Sequence, residues 1–356
     1  MGYKSAVRTA AEALKSKKGI RILAMETSCD ETAAAIVEDG RRIISSTVFS
    51  QIDLHAMYGG VVPEIASRAH MEACTRVTDE ALRQAGMRLQ DIDALAVTYG
   101  PGLVGALLTG VSYMKGLAFG LGKPLLAVNH IEGHVSANYL THPGLMPPFI
   151  CLVVSGGHSH LVGVRDYGNY ALYGSTADDA AGEAFDKAAR SLGLPYPGGP
   201  KLDELADKGD PDAFPLPQPK VEGEYDFSFS GLKTAFINIL HHMKQTGTPV
   251  PKADLAASFR KAVVRQLTDR SAQLLRALGP ETPGLAMAMA GGVSANSLLR
   301  AEMAKTCSGL KIPLYMPRPD LCTDNAAMIG SAAYYAFMRG ELADLSLNAC
   351  PALRFV

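Results

Sequence analysis

The chain contains 356 residues, of which 47% are apolar and 19% are charged, and its formal net charge is −1. This length suffices for about two domains with sizeable cores. The near-zero charge excludes a surface that holds nucleic acid by overall charge alone. RNA binding would therefore require a local basic patch or a partner protein.

The composition also bears on the compartment. No apolar run in the sequence reaches the length of a membrane span, about 18 residues, and no secretory leader is recognisable. The six cysteines are scattered and form no C-x-x-C pair, which is typical of free thiols in a reducing compartment. We therefore expect a cytoplasmic protein.

Residues 1–19 form a basic N-terminal extension. They contain five lysines and arginines against one acid, Glu12. We expect a flexible tail, as is common at chain termini. A short basic helix, an RNA-contacting tail and a transit-like leader are the alternatives.

In chain order, the sequence predicts strands that alternate with helices. Arg21–Val37 reads as two strands joined by a polar turn, Glu26–Thr32, and Arg42–Ser50 as a third strand. This alternation predicts an α/β protein whose sheets are covered by helices. The later predicted elements are helices His55–Ala69, Met71–Ala85, Leu103–Gly120, Asp178–Ser191, Leu232–Met243, Asp254–Leu278, Ser297–Lys305 and Ala326–Arg339, and strands Ala94–Thr98, Leu125–Val128, Leu285–Ala290 and Ile312–Met316.

One unit of this pattern occurs twice. Phe149–Val164 repeats the strand–turn–strand arrangement of Arg21–Val37, at a distance of about 127 residues from Asp30 to Gly157. A repeated unit predicts two related lobes.

The segment Leu125–Leu140 carries the clearest metal-binding pattern. A short strand ends at Asn129, a good helix N-cap, and His130 and His134 follow four residues apart. This spacing puts both imidazoles on one face of a helix, where they could hold a first-row metal with a third ligand. The alternative is a pair of hydrogen-bonded core histidines. Glu132 faces away from the pair, which excludes the mechanism of the H-E-x-x-H zinc peptidases.

Small-residue turns after strands suggest a nucleotide site. Ser155–Ser159 and Gly291–Asn296 let backbone amides approach a phosphate or ribose, and the second turn also opens a helix. Gly100–Gly105 matches G-x-G-x-x-G, but the acid expected about 20 residues later is missing, so we interpret it as a tight turn. The sequence contains no P-loop.

Eight motifs in a fixed order make the chain resemble the TsaD/Gcp family in its bacterial form. The resemblance runs from about residue 20 to the C-terminus and rests on ETSCDET (26–32), NHIEGH (129–134), VSGGHSH (154–160), DDAAGEAFDK (178–187), YPGGP (196–200), FSFSGLKTA (227–235), GGVSAN (291–296) and TDNAAMIG (323–330).

The resemblance implies a two-lobed actin/Hsp70/sugar-kinase-like fold, with a mixed sheet flanked by helices in each lobe. Residues 20–150 and 326–356 would form the N-terminal lobe, and residues 151–325 the C-terminal lobe. It further implies transfer of a threonylcarbamoyl group from threonylcarbamoyl-AMP to N6 of the tRNA adenosine beside the anticodon, in tRNAs reading A-starting codons, with release of AMP.

The site residues implied by the resemblance fall into two groups. A divalent metal, Fe²⁺ or Zn²⁺ with iron favoured, would be held by His130, His134 and Asp324. The substrate contacts would be Val154, Ser155, Gly156, Gly157, His158, Asp186, Gly199, Asp203 and Asn296. Asp186 as a surface acid and Asp324 as a mere helix cap are the alternatives.

A proton acceptor is needed because an aromatic amine must attack the donor's carbamoyl carbon. If the first hairpin mirrors the second, Asp30 and Glu31 face the same cleft as the glycine turns, and we favour Glu31 as the base. The resemblance also implies three protein partners: a paralogous TsaB-like subunit, a TsaE-like ATPase and a separate enzyme that supplies the donor. Rival functions are an ATP-dependent small-molecule kinase or ATPase of the same fold, and a nucleotide-gated scaffold.

Overall fold

The computed structural model describes residues 3–219 and 221–355. The helices of this part of the chain are α1 (Tyr3–Leu14), α2 (Ile52–Ala56), α3 (Pro63–Ala85), α4 (Val104–Leu121), α5 (His130–Thr141), α6 (Ala181–Ser191), α7 (Gly198–Ala206), α8 (Ser230–Thr246), α9 (Lys252–Leu278), α10 (Ser297–Leu310) and α11 (Ala326–Arg339). The strands are β1 (Arg21–Glu26), β2 (Glu31–Glu38), β3 (Arg42–Ser50), β4 (Ala94–Gly100), β5 (Leu125–Asn129), β6 (Phe149–Val154), β7 (Ser159–Asp166), β8 (Asn169–Ser175), β9 (Met287–Ala290) and β10 (Leu314–Tyr315).

The chain folds into two compact units. Unit 1 contains the described residues up to Met146 and those from Pro317 onward, and unit 2 runs from Pro147 to Met316. The chain returns to unit 1 at Pro317, earlier than the predicted lobe boundary between residues 325 and 326. Leu321, which lies between these two points, is buried in the core of unit 1. As a consequence, Asp324 belongs to unit 1 and not to the C-terminal lobe.

The two units repeat one topology. The five-stranded sheet of unit 1 has the order β3-β2-β1-β4-β5, and that of unit 2 has the equivalent order β8-β7-β6-β9-β10. In unit 1, β1 pairs antiparallel with β2 and parallel with β4. In unit 2, β6 likewise pairs antiparallel with β7 and parallel with β9. The prediction of two related lobes from the repeated hairpin is confirmed.

The core of unit 1 lies on both faces of its sheet. Side chains alternate along β1: Ile22 and Ala24 pack against α11, whereas Leu23 and Met25 pack in the core that contains α3 and α4. Helix α4 is, among the described residues, the one helix long and apolar enough to span a membrane. One face of α4, with Leu107, Val111 and Met114, is buried in unit 1, whereas Val104 and Phe119 are exposed.

Two predictions for unit 1 were wrong in detail. Residues 3–14 form α1, the short helix given as an alternative, and not the favoured flexible tail, because Val7 and Ala11 are buried and the Tyr3 hydroxyl donates to the carbonyl of Lys123 at 2.7 Å. The two helices predicted within residues 55–85 are instead a short α2 and the single helix α3, which begins at Pro63 as its N1 preference indicates.

Candidate functional site

The histidine pair begins helix α5. The side chain of Asn129 accepts a hydrogen bond from the backbone N–H of Ile131 at 2.9 Å, so the predicted N-cap is confirmed and His130 is the first helical residue. The rings of His130 and His134 lie on one face of α5, with centroids 4.6 Å apart and planes at 80°. Both side chains are buried.

Asp324 completes a cluster of three with the two histidines. Its Oδ1 lies 3.5 Å from His130 Nε2 and 3.3 Å from His134 Nε2. One ligand atom from each of the three residues lies within 4.8 Å of the others. Capping of α11 falls to Asn325, whose side chain accepts from the N–H of Met328. The alternative role of Asp324 as the helix cap is therefore wrong.

Gly133 allows the two helices behind this cluster to approach closely. A Cβ at this position would lie 2.6 Å from Ile329 Cδ1 on α11. Since Asp324 lies two residues before the first residue of α11, the close packing of α5 on α11 brings its carboxylate to the histidines. The packing of α5 on α11 thus explains why the residue between the two histidines is glycine.

The chemistry of His134 fits a metal ligand. Its side chain is fully buried, and within the described part of the chain neither ring nitrogen has a partner in hydrogen-bond geometry. A core histidine ordinarily satisfies its ring nitrogens with hydrogen bonds. His134 thus differs from a fully satisfied core histidine at Nδ1, and a cation coordinated by Nε2 would lie next to Asp324 Oδ1, 3.3 Å from that nitrogen.

The charges at the cluster also call for a cation. Burial alone lowers the pKa of His130, but the carboxylates of Asp324 and Glu26 outweigh it and raise this pKa to about 9. Burial lowers the pKa of His134. The two carboxylates thus favour a positive charge at the cluster, and a divalent ion held by these residues would supply it.

Glu31 and Asp30 lie at the start of β2 in the same unit. Burial, together with the charges of Asp324 and Asp30, raises the pKa of Glu31 to about 10. Ser50 Oγ donates to Glu31 Oε1 at 3.2 Å, and the carbonyl of Asp30 accepts from the N–H of Gln51 at 3.0 Å. Glu31 is therefore electrostatically linked to the cluster, which sequence spacing did not reveal.

The sequence analysis missed Glu26, the last residue of β1. Its carboxyl group is fully buried, and Oε2 lies 3.1 Å from His130 Nδ1. Burial would raise the pKa of Glu26, but His130 holds it below its usual range. The available signal was an acid that directly follows the apolar residues Ile22–Met25 of a central strand.

In unit 2, the glycine turn after β6 is packed by two other glycines. A Cβ at Gly182 would lie 2.6 Å from the carbonyl oxygen of Ser155, and one at Gly291 (φ +85°) would lie 2.3 Å from that of Val154. A Cβ at Gly156 or Gly157 would meet no described atom within 4 Å. The turn is therefore tightly held from behind and open in front.

Asp186 on α6 is not an ordinary surface acid. Its Oδ1 accepts from the backbone N–H groups of Gly198 and Gly199, at 2.9 and 3.0 Å. These are the first residues of α7, so the carboxylate satisfies free amides at a helix N-terminus. Asp186 and Gly199 are thus brought together in the structure.

Asp203 and Asn296 also lie together, and Asp203 in addition contacts an arginine that the sequence analysis did not single out. Asp203 Oδ1 accepts from Asn296 Nδ2 and from Arg260 Nη1, each at 2.7 Å, and its Oδ2 accepts from the N–H of Ser297. Arg260 lies on α9 and is 8% exposed. The Oδ1 atom of Asn296 caps α10 by accepting from the N–H of Leu299.

Comparison with known proteins gives the family. Residues 42–331 match the family model of TsaD, tRNA N6-adenosine threonylcarbamoyltransferase. The chain belongs to this family. Two relatives of that name come from Moorella thermoacetica, at 55% identity, and Clostridium perfringens, at 54%. The alignments cover 93% and 94% of this chain, and 96% and 97% of the relatives.

Solved structures agree on the fold. The chain resembles T. kodakarensis HypF with a TM-score of 0.59 at 15% identity, over 91% of this chain and 48% of that chain. It also resembles component A of the Acidaminococcus fermentans (R)-2-hydroxyglutaryl-CoA dehydratase, with a TM-score of 0.51 at 16% identity, over 90% of this chain and 99% of that one. The predicted actin/Hsp70/sugar-kinase-like α/β fold is confirmed.

Proposed function

We propose that the chain transfers the threonylcarbamoyl group from threonylcarbamoyl-AMP to N6 of the adenosine beside the anticodon in tRNAs reading A-starting codons, and releases AMP. Family membership over residues 42–331 supports the reaction class. The observation that carries the mechanism is the cluster of His130, His134 and Asp324 in unit 1.

These three residues would hold one divalent metal. Two imidazoles and one carboxylate suit Fe²⁺ or Zn²⁺ and leave coordination positions open, and we favour iron on family grounds. When bound, such an ion acts as a Lewis acid that polarises a carbonyl or phosphoryl oxygen. Rival kinases and ATPases of this fold usually hold Mg²⁺ through oxygen ligands, a chemistry that two histidines do not match.

Residues of unit 2 would bind the AMP part of the donor. Backbone amides of Ser155–Ser159 would hold the phosphate, above all those of Gly156 and Gly157, where the turn is open in front. The N–H of Ser155 already donates to the carbonyl of His158. Asp186 would act with Gly199 at the start of α7, and Asp203 with Asn296 would contact the ribose. Fixed orientation of the donor would supply much of the rate acceleration.

Glu31, or Asp30 beside it, would accept the proton that the amine loses. Burial and the charges of Asp324 and Asp30 raise the pKa of Glu31 to about 10. Glu31 would therefore act as a base only when a cation bound at Asp324 offsets that charge and brings the pKa of Glu31 closer to neutrality.

We further propose tRNA as the acceptor and a cytoplasmic location. With a net charge of −1, tRNA affinity would depend on a local basic surface or on partner subunits. A TsaB-like paralogous subunit, a TsaE-like ATPase and a separate donor-producing enzyme remain the partners that the family implies.

The test compares the full chain with its variants His134→Ala and His241→Ala, each assayed in the presence of the partner subunits. His241 is an exposed histidine on α8 and serves as the matched control. Metal content and transfer from preformed threonylcarbamoyl-AMP to unmodified tRNA are measured. We expect His134→Ala to lose both metal and transfer, and His241→Ala to keep both.

Full transfer by metal-free His134→Ala would overturn the metal role. The reaction itself is tested by tRNA nucleoside analysis in a strain depleted of the protein. Loss of the threonylcarbamoyl modification supports the transferase, whereas an unchanged nucleoside profile favours the kinase or scaffold alternative.

A further inference from the structure

Glu26 is a buried carboxyl group with a partner for each oxygen. Its Oε1 accepts from the backbone N–H of Ser28 at 2.5 Å, and its Oε2 accepts from Thr98 Oγ1 at 2.6 Å. Oε2 also lies 3.1 Å from His130 Nδ1. A carboxylate with no solvent exposure persists only where such donors satisfy it, so the surroundings of Glu26 are built for a charged acceptor.

The contact between Glu26 and His130 determines which ring nitrogen can face the cluster. An ionised carboxylate has no proton to donate, so the short contact to Nδ1 places the imidazole proton on Nδ1. Ser28 Oγ, 3.2 Å from the same nitrogen, can rotate its hydroxyl to accommodate this. The lone pair of Nε2 then points to the side of Asp324 Oδ1, 3.5 Å away.

We propose that Glu26 is a positioning residue of the metal centre, which holds His130 in the tautomer and orientation that coordinate a divalent metal through Nε2. Such carboxylate–histidine–metal arrangements orient the ligand and make it more basic. This inference rests on the proposed function, because it requires the metal at His130, His134 and Asp324. It adds a residue from β1 that binds neither metal nor substrate.

The two histidines are held differently. His130 has Glu26 behind it, whereas neither nitrogen of His134 has a described partner in hydrogen-bond geometry. Loss of Glu26 should therefore weaken binding through His130 while leaving His134 and Asp324 in place.

The test titrates the metal-free full chain and its Glu26→Gln variant with Co²⁺. The visible spectrum of Co²⁺ reports both the affinity and the coordination. Gln keeps the shape of the side chain but presents an amide that cannot act as an ionised acceptor. We expect Co²⁺ affinity to fall about 10- to 100-fold, the usual effect of losing such a partner. Glu132→Gln on α5 is the matched control. Glu132 faces Arg339, with 3.8 Å between Oε1 and Nη2, so this variant should leave the Co²⁺ affinity unchanged.

Melting curves separate positioning from a general loss of stability. A positioning role reduces the rise in Tm that Co²⁺ produces, because that rise depends on affinity. A structural role lowers the Tm of the metal-free protein and leaves the rise unchanged. If Glu26→Gln does not fold, Thr98→Val, which removes the hydroxyl donor to Oε2, is titrated instead, and a several-fold loss of affinity is expected.

The outcomes distinguish this inference from the proposed function. If His134→Ala abolishes Co²⁺ binding while the folded Glu26 variant, or Thr98→Val in its place, binds with wild-type affinity and spectrum, the role of Glu26 is overturned and the metal centre stands. If His134→Ala binds Co²⁺ as the wild type does, the metal centre itself is overturned, and with it the role of Glu26.

Discussion

The two units share one strand order but carry different chemical groups at the ends of their first strands. In unit 1, β1 ends in the buried acid Glu26, which contacts His130 next to a cluster of ionisable groups. In unit 2, β6 ends in Val154 and a glycine turn, and carboxylates accept from backbone amides at the starts of α7 and α10. The same scaffold thus presents ionisable side chains in one unit and main-chain donors in the other. We infer metal chemistry for the first and nucleotide binding for the second.

The strongest test of this division exchanges an aspartate in each unit for alanine. Asp324→Ala should lose the metal and reduce transfer by roughly 10³-fold or more, because a bound Lewis acid contributes several kcal/mol. Asp186→Ala should keep the metal and weaken AMP binding, because the start of α7 loses its acceptor. Metal analysis and calorimetric titration with AMP measure the two effects. Loss of metal in both variants, or in neither, would contradict the division.

Substitution of Arg260 tests whether the contacts of Asp203 at the start of α10 depend on the buried arginine. Arg260→Met leaves Asp203 without its cation, so the free energy of unfolding should fall by about 3 kcal/mol, as for a broken buried pair. AMP affinity should fall as well, because Asp203, which also accepts from Asn296, loses the donor that helps to fix its carboxylate. Urea unfolding and AMP titration measure the two changes.

The matched control is Arg265→Met, on the same helix, where the exposed pair with Asp269 should contribute less than about 1 kcal/mol. Equal stability of the two variants would show that Arg260 does not organise the site. Unchanged AMP affinity in a destabilised Arg260→Met would restrict its role to folding.

Two glycine variants, Gly291→Ala and Gly157→Ala, separate a ligand-binding role of the glycine turn from a purely structural one. The second of them should have the smallest effect on stability. Gly291→Ala should destabilise the protein by at least about 1–3 kcal/mol, because its φ is +85° and the new Cβ would lie 2.3 Å from the carbonyl oxygen of Val154. Gly157→Ala should change stability by less than about 0.5 kcal/mol, since no described atom lies within 4 Å of the new Cβ.

Gly157→Ala should nevertheless weaken AMP binding, because the added methyl group enters the space in front of the turn. Thermal unfolding and AMP titration of both variants provide the measurement. An AMP affinity equal to that of the wild type in Gly157→Ala would argue that the turn holds no phosphate.

Local features were predictable from the sequence. The N-cap at Asn129 and the shared face of His130 and His134 follow from side-chain type and the 3.6-residue helical repeat, and both are found in the structure. Helix α11 has the predicted bounds, Ala326–Arg339. The repeated hairpin likewise predicted the two related units, because strand patterns depend on near neighbours.

Other features depended on contacts that are distant in sequence. Glu26 lies 104 residues before His130, and no periodicity connects them. Family resemblance alone implicated Asp324, and its place beside the histidines depends on the packing of α11 against α5 across Gly133. Residues 3–14 are helical and bury Val7 and Ala11 in unit 1, whereas the charge pattern of the segment left a short helix only as an alternative to a flexible tail.

The amino-acid sequence by itself determined most of the order of helices and strands, the repeated architecture and one face of the histidine helix, but it did not reveal α1, α7 or β8. These features arise from hydrogen bonds and side-chain periodicity over a few residues. Only the tertiary structure decided which buried acid contacts His130, which residue caps α11 and which arginine holds Asp203. Those pairings depend on burial and close packing between segments far apart in the chain, where the cost of an unpaired buried charge selects the partner.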